Sequence, residues 1–116
     1  MNDSGFEALA EVALDGIEQA LERAVDAEAL DLDFERKEGG ILELEFGDGS
    51  RMVINRHGAA GQIWVAAKSG GFHFRHDDHA GRWVDTRTGG ELFAALSRLV
   101  SAQSGTAVVL APAQGG

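Results

Sequence analysis

In ILELEFGDGSRMVIN, residues 41–55, apolar and polar side chains alternate up to a GDGS turn, and extended, apolar-rich sequence resumes behind it. A period of two sends successive side chains to opposite faces of a strand. Glycine takes the positive φ of a tight hairpin turn without steric cost. Leu42, Leu44 and Phe46 therefore share one face, and Ile41, Glu43 and Glu45 the other. A chain holding this hairpin needs an antiparallel sheet with one apolar face, and another layer must cover that face.

The flanking sequence supplies the cover. Phe6, Ala10, Ala13, Ile17, Leu21 and Ala24 recur every three or four residues, the spacing of a helix with one buried stripe. The pattern predicts a helix over 3–25. Asn2, Asp3 and Ser4 offer cap side chains, with Glu7 three residues after Ser4 as in a capping box. Gly16 is its weak point, at a cost of up to ~1 kcal/mol relative to Ala. Strands are expected at 30–35, 41–46, 51–55, 62–68, 72–74 and 82–85, with RHDDHAG as a polar loop before the last. A second helix, over roughly 89–103, carries Leu92, Phe93, Leu96, Leu99 and Val100 on one side and stops at Gly105. TAVVLA, 106–111, reads as an extended apolar segment packed beside the helices. The order helix, strands, helix is α+β, a two-layer α-β sandwich with both helices on one face of an antiparallel sheet. Residues 1–111 are expected to form one domain, and 112–116 a disordered tail.

Absent residue types exclude whole chemistries. The chain has 116 residues and no cysteine, hence no thiolate metal site, thiol nucleophile, redox pair or disulfide framework. No apolar run approaches the ~20 residues of a membrane-spanning helix, and the acidic start lacks the order of a signal peptide. A soluble, cytoplasmic protein without membrane contact is expected. The net charge is −9, placed unevenly: residues 1–48 hold fifteen acids against three Lys/Arg, and residues 49–116 hold four against seven. An acidic half repels nucleic acid and attracts cations or basic protein surfaces.

The acids are patterned. Glu7, Glu11, Asp15, Glu18, Glu22 and Asp26 fall within an arc of roughly 100° on a helical wheel of ~100° per residue, away from the apolar stripe. Asp31, Asp33 and Glu35 alternate with Leu30, Leu32 and Phe34 on the strand that follows. The short link AEAL should bring the two rows together as one ridge. Like charges at i,i+4 cost roughly 0.2–0.5 kcal/mol per pair, and the helix has one base, Arg23. A solvated acidic face is the ordinary explanation. The functional one is a surface for hard cations or a basic partner, since all-oxygen ligands suit Ca, Mg, Mn and iron rather than zinc or copper. An exposed ridge is no preformed cage, so micromolar to millimolar affinity is the order of magnitude expected.

HFRHDDH has the composition of a metal cluster, but strand and loop do not aim His73, His76 and His79 at one point, and a polar hairpin loop is the simpler reading. Trp64 shares its face with Gln62, Ala66 and Lys68, so it should project from the polar side, into solvent unless a neighbour covers it. An exposed Trp marks a binding surface, which Asn55 could share. No nucleophile elbow, phosphate-binding glycine loop or HExxH is present.

In this order, MNDSGFEALAE, GGILELEFGDGSRMVINR, QIWVAAKSGGFHF and RWVDTRTGGELFAAL resemble the bacterial frataxin family over residues 1–110. The resemblance implies an α-β sandwich, weak binding of ferrous or ferric iron, no organic cofactor, and a role in iron–sulfur cluster assembly through contact with a cysteine desulfurase and a scaffold protein. It implies metal ligands at Glu11, Glu18, Glu22, Asp26, Asp31 and Asp33, and partner contacts at Asn55, Gln62 and Trp64. It implies a regulator or iron donor, monomeric unless iron drives oligomers. The alternative is an acidic interaction module whose metal binding is incidental. No enzyme activity is expected; ferrous oxidation is the one catalytic alternative, and it would need inward-facing Glu and Glu-x-x-His ligands. Two departures stand out. Gln19 follows Glu18 and Arg23 follows Glu22 where relatives pair acids, which dilutes the ridge. HGAAG replaces the proline usual after NR, which should loosen that loop.

Overall fold

In the computed structural model, which describes residues 3–112, the chain runs α1 (Asp3–Glu28), β1 (Leu32–Lys37), β2 (Ile41–Phe46), β3 (Arg51–His57), β4 (Gln62–Ala67), β5 (Gly70–Asp77), β6 (Arg82–Asp85) and α2 (Leu92–Ser104). The strands form one antiparallel sheet in sequence order, a meander with β1 and β6 at its edges. Both helices cover the same face. Leu14, Ile17 and Leu21 of α1 and Leu92 and Leu96 of α2 are fully buried in one cluster with Leu42, Leu44, Met52, Ile54, Ile63, Val65 and Phe74 of the sheet. Burial of each such side chain is worth about 1.5–3 kcal/mol, so apolar contact holds the two layers together. The two-layer expectation stands, and all eleven stripe residues expected inside the helices pack in this core.

The differences lie at element ends. The capping side chains at Asn2, Asp3 and Ser4 lie outside the described residues, as do 113–116 of the expected tail. α1 runs on to Glu28 and ends at Ala29, whose φ of 51° is the left-handed turn that usually takes glycine. β1 starts two residues late, so Leu30 is buried as part of the connection. The RHDDHAG segment is half strand: Arg75, His76 and Asp77 pair with Val84, Trp83 and Arg82. α2 starts later than expected, at Leu92. Residues 86–90 are a turn instead, held by the buried Asp85 carboxylate accepting from Arg87 N (2.7 Å) and Thr88 N (3.2 Å). Glu91 then caps α2, accepting from Phe93 N (2.7 Å) and Ala94 N (3.1 Å). Gly105, with φ 77°, ends the helix as expected. Gly16 faces Phe93 Cζ, which an added Cβ would meet at an ordinary 3.5 Å.

The segment after α2 is extended and packed, as its apolar sequence requires. Val108 and Leu110 are buried. Their backbone groups need partners, and two serines one helical turn apart provide them. Ser101 Oγ accepts from Val108 N (2.8 Å) and donates toward Val108 O (3.0 Å). Ser97 Oγ accepts from Leu110 N (2.8 Å) and lies 2.8 Å from Phe93 O and 3.2 Å from Leu110 O. Hydroxyls on a helix thus replace a neighbouring strand. In the last turn of α2, Gln103 donates to Ser50 Oγ and Arg51 O and accepts from Lys68 N, pinning two hairpin turns.

The GDGS turn carries a pH prediction. Asp48 accepts from Ser50 Oγ (2.6 Å) and Ser50 N (2.9 Å), with Lys68 Nζ at 3.4 Å. The Ser50 hydroxyl first, then its backbone N–H, lower the Asp48 pKa from its ordinary 3.8 to about 2; Lys68 adds to this and partial desolvation opposes it. A depressed carboxyl stabilises the folded state fully above its unfolded pKa and loses that contribution as pH falls through the folded value, here between about 4 and 2. Carboxyl-carbon NMR should give Asp48 a midpoint near 2, and Ser50→Ala should move it back toward 3.8. An unchanged midpoint in that variant would refute the assignment.

Candidate metal and partner surface

β1 is where the acidic rows meet. Its alternation puts Leu32, Phe34 and Arg36 on the face under α1, and Asp33, Glu35 and Lys37 on the opposite face. Arg36 is the last residue of the inward set and projects toward the helix. Its Nη2 lies 2.5 Å from Glu11 Oε1, and its Nη1 lies 2.8 Å from Asp15 Oδ1 and 3.2 Å from Glu18 Oε1. Burial alone would lower the guanidinium pKa, but the hydrogen bonds and charges of Asp15, Glu11 and Glu18 outweigh it and leave it raised. A second base arrives from β3: Arg56 Nη1 lies 3.4 Å from Glu7 Oε1, and Arg56 Nε 3.4 Å from Glu11 Oε2 without a hydrogen bond. Glu11 is thus held between two guanidiniums. Arg56 reaches it by crossing the face of Gly40, where a Cβ would collide with its side chain.

This corrects the expected ridge in two respects. The helix row is not unpaired: Glu7, Glu11, Asp15 and Glu18, four of its six members, have internal cations. Arg23, the one base within the helix, donates to Ala111 O at 2.9 Å. The two rows also do not merge into one face, because Asp33 and Glu35 point away from the helix side of the edge strand. Among the described residues, no Lys, Arg or His lies within 4.0 Å of the carboxylates of Glu22, Asp26, Asp31, Asp33, Glu35 or Glu45. Of these, Glu22, Asp26 and Asp31 lie around the α1–β1 connection. The Asp31 carboxylate rests against Gly47, which has no Cβ to obstruct it. On the outer face, register sets Asp33 opposite Glu45 and Glu35 opposite Glu43, and like charges directly across strands repel. Among the described residues, Glu43 is the one of these four with cations within 4.0 Å, Lys37 (3.2 Å) and Arg51 (3.7 Å), and Arg51 also stands directly opposite Glu45 on β3. Glu45 thereby joins Asp33 and the expected Glu35 on the acidic surface; the alternation placed it outward, but only the β1–β2 register brings it beside Asp33.

The donor set is all carboxylate, which fits iron as a hard or borderline ion. Its geometry is open: among the described residues, no three acids or histidines converge as a metal-holding group. The three histidines of HFRHDDH diverge as well. His73 lies on the outer face against Trp64. His76 packs edge-on to Trp83 on the helix side, with Nδ1 2.6 Å from Asp78 Oδ1. His79 contributes its backbone N–H to Asp77. The backbone N–H of Ala80 first and that of His79 after it, with the charges of Arg75 and His79, lower the Asp77 pKa against partial desolvation; these contacts close the turn.

Trp64 sits on the outer face in one cross-strand row with Ile41, Asn55 and His73. It projects from the polar face as expected, and of the two outcomes left open it takes the second: neighbours on the adjoining strands cover it. The ring is half-buried in a stack, with His57 at 3.7 Å and His73 at 4.3 Å between ring centroids and interplanar angles of 13° and 11°. Its Nε1 donates to Gln62 Oε1 at 2.8 Å. Asn55 pairs in register with Trp64 and donates to Arg56 O. Asn55, Gln62 and Trp64 therefore do come together, with His57 and His73 as members that no sequence motif announced. The HGAAG turn beside them is closed on His57, whose carbonyl accepts from Ala60 and Gly61 and whose Nδ1 accepts from Ala60 N.

The chain is thus a two-layer α-β sandwich with acids along its first edge and an aromatic row on its open face. The chain belongs to the frataxin-like family: the family model described as Frataxin-like domain matches residues 1–106. It is similar to the iron-sulfur cluster assembly protein CyaY of Dechloromonas aromatica, 56% identical over 95% of this chain and 99% of that one. It is likewise similar to the protein of the same name from Cupriavidus metallidurans, 49% identical over 95% and 96%. Among solved structures it is similar to frataxin from Psychromonas ingrahamii, with a TM-score of 0.74 and 31% identity over 94% of this chain and 97% of that one. It is also similar to trimeric yeast frataxin in a ferrous complex, with a TM-score of 0.71 and 29% identity over 84% and 87%. Among the described residues, no helix is long and apolar enough to cross a membrane.

Proposed function

We propose that this chain serves iron–sulfur cluster assembly in the cytoplasm as an iron-binding regulator or iron donor. Iron is its cargo, held weakly, and the chain works without catalysing a reaction of its own. The observation that carries this reading is the set of carboxylates around the α1–β1 connection and on the outer side of β1, Glu22, Asp26, Asp31 and Asp33, which have no internal cation among the described residues. Their repulsion is relieved by a bound cation or a basic partner. The names of the relatives and the ferrous complex of the yeast neighbour support iron over other hard ions. The same acids would dock a basic patch on the cysteine desulfurase. The Asn55–Gln62–Trp64 row would contact the scaffold protein. The protein is a monomer in this reading, with oligomers driven by iron, consistent with the yeast trimer.

The test is thermal. Anaerobic ferrous iron should raise the melting temperature of the wild type, because a ligand that binds only the folded state stabilises it. The quadruple variant Glu22→Gln, Asp26→Asn, Asp31→Asn, Asp33→Asn should lose that response. If it keeps the full response, iron binds elsewhere.

The second reading, an interaction module with incidental metal binding, is favoured by the lack of any convergent metal-holding group among the described residues. It predicts salt-sensitive binding to the desulfurase that a chelator leaves undiminished. Binding that disappears in chelator decides for the first reading.

A further inference from the structure

We infer that Arg36, seconded by Arg56, is a built-in counter-cation that closes Glu7, Glu11, Asp15 and Glu18 of the α1 acidic row to external cations and confines them to Glu22, Asp26, Asp31 and Asp33. The inference rests on the proposed metal reading for its second clause and on geometry for its first. A guanidinium already lies within 2.5–3.2 Å of three carboxylates two turns apart on α1, where a bound ion would otherwise lie. Glu11 has both oxygens facing a guanidinium. These bases are held from behind. Arg36 belongs to the inward set of β1, pairs in register with Leu42, and is only 21% exposed. Arg56 runs over Gly40, is 23% exposed, and donates its backbone N–H to Gly40 O at 2.9 Å. Neither side chain is a loose surface arm that an incoming ion could displace at little cost.

Charge decides the rest. Glu7, Glu11, Asp15 and Glu18 face two bases; Glu22, Asp26, Asp31 and Asp33 face none among the described residues. A multivalent ion gains from each unpaired carboxylate and loses to each nearby guanidinium, so it prefers the second group. The depression beside Arg36 and Arg56, about 480 Å³ and lined also by Glu11, Asp15 and Lys37, has acid on its walls but is no cation site while both bases stand in it. The acidic surface is thereby divided, and its two halves are suited to different company.

The experiment uses the whole chain and two probes. Manganous ion, which broadens nearby amide signals, reports inner-sphere metal binding; cobalt(III) hexaammine, which cannot take protein ligands, reports charge alone. In wild type, both probes should act on amides of residues 22–33 and leave 7–18 little affected. Arg36→Met keeps the apolar stem and removes the charge. It should extend the effect of both probes to 7–18 and tighten cobalt hexaammine there by roughly fivefold at moderate salt. Arg36→Lys should stay close to wild type, and amide spectra of both variants establish that the fold is kept. If the hexaammine complex perturbs 7–18 equally in wild type and Arg36→Met, the inference is wrong. If that contrast appears but manganous ion perturbs 22–33 in no variant, Arg36 keeps its role and the metal reading falls instead.

Discussion

Removing the hydroxyls of Ser97 and Ser101 together is expected to lower the unfolding free energy by roughly 2–4 kcal/mol. Each serine serves a buried residue of the extended C-terminal segment, accepting from its N–H and lying within donor distance of its carbonyl. Leaving such a backbone group buried and unmatched costs about 1–3 kcal/mol. The segment has one alternative, to lift away and give up the burial of Val108 and Leu110. Both routes cost free energy, and the second also exposes the seam along α2. Urea denaturation of the Ser97→Ala, Ser101→Ala double variant measures the loss, and hydrogen exchange at Val108 and Leu110 locates it. Unchanged protection at those two amides, with a loss under about 0.5 kcal/mol, would show that the hydroxyls are replaceable.

Gly40→Ala should be costly for one added methyl, at roughly 2–4 kcal/mol. Its φ is +74°, a region that penalises an L side chain by about 1–2 kcal/mol. The new Cβ would also fall onto the Arg56 side chain where it crosses the glycine. Arg56 must then move, and Glu7 and Glu11 lose their second base. Gly39, with φ +87° and nothing near its absent Cβ, separates the two effects. Gly39→Ala should show the backbone cost alone, and the difference between the two midpoints measures the collision. Equal costs at 39 and 40 would mean that Arg56 is not held there.

The fold was legible because its information is local and periodic. Leu42, Leu44 and Phe46 alternate without interruption, and the strand they predict has the observed bounds. The helical stripes are equally regular and every member packs. What misled lies where one side chain does the work of another type. Glu91 caps α2 although glutamate is not a preferred cap residue, so α2 was expected to begin earlier. The end of β5 reads as loop in the sequence because its residues Arg75, His76 and Asp77 are polar; their partners across the ladder hold them extended.

The acidic surface was half legible for a different reason. That carboxylates line one side of α1 follows from the wheel. That Arg36 reaches three of them follows only from its parity: it comes two residues after Phe34 and so points inward. Arg56 is twenty residues further on and arrives through pairing across β2 and β3, which no local pattern encodes. The same holds for Trp64, whose stacking partners His57 and His73 come from the strands on either side. Sequence fixes which face a side chain takes; register decides what stands next to it.

The position of the carboxylates on β1 has one more consequence. β1 is a sheet edge, and an open edge invites another chain to add as a further strand unless charge or shape prevents it. Asp33, Glu35 and Lys37 project from that edge strand into water. Cancelling the acids, by low pH or by a bound cation, removes the repulsion between them and leaves the edge guarded by Lys37. On the proposed metal reading, loading would make edge-to-edge pairing easier, without an ion having to bridge the subunits.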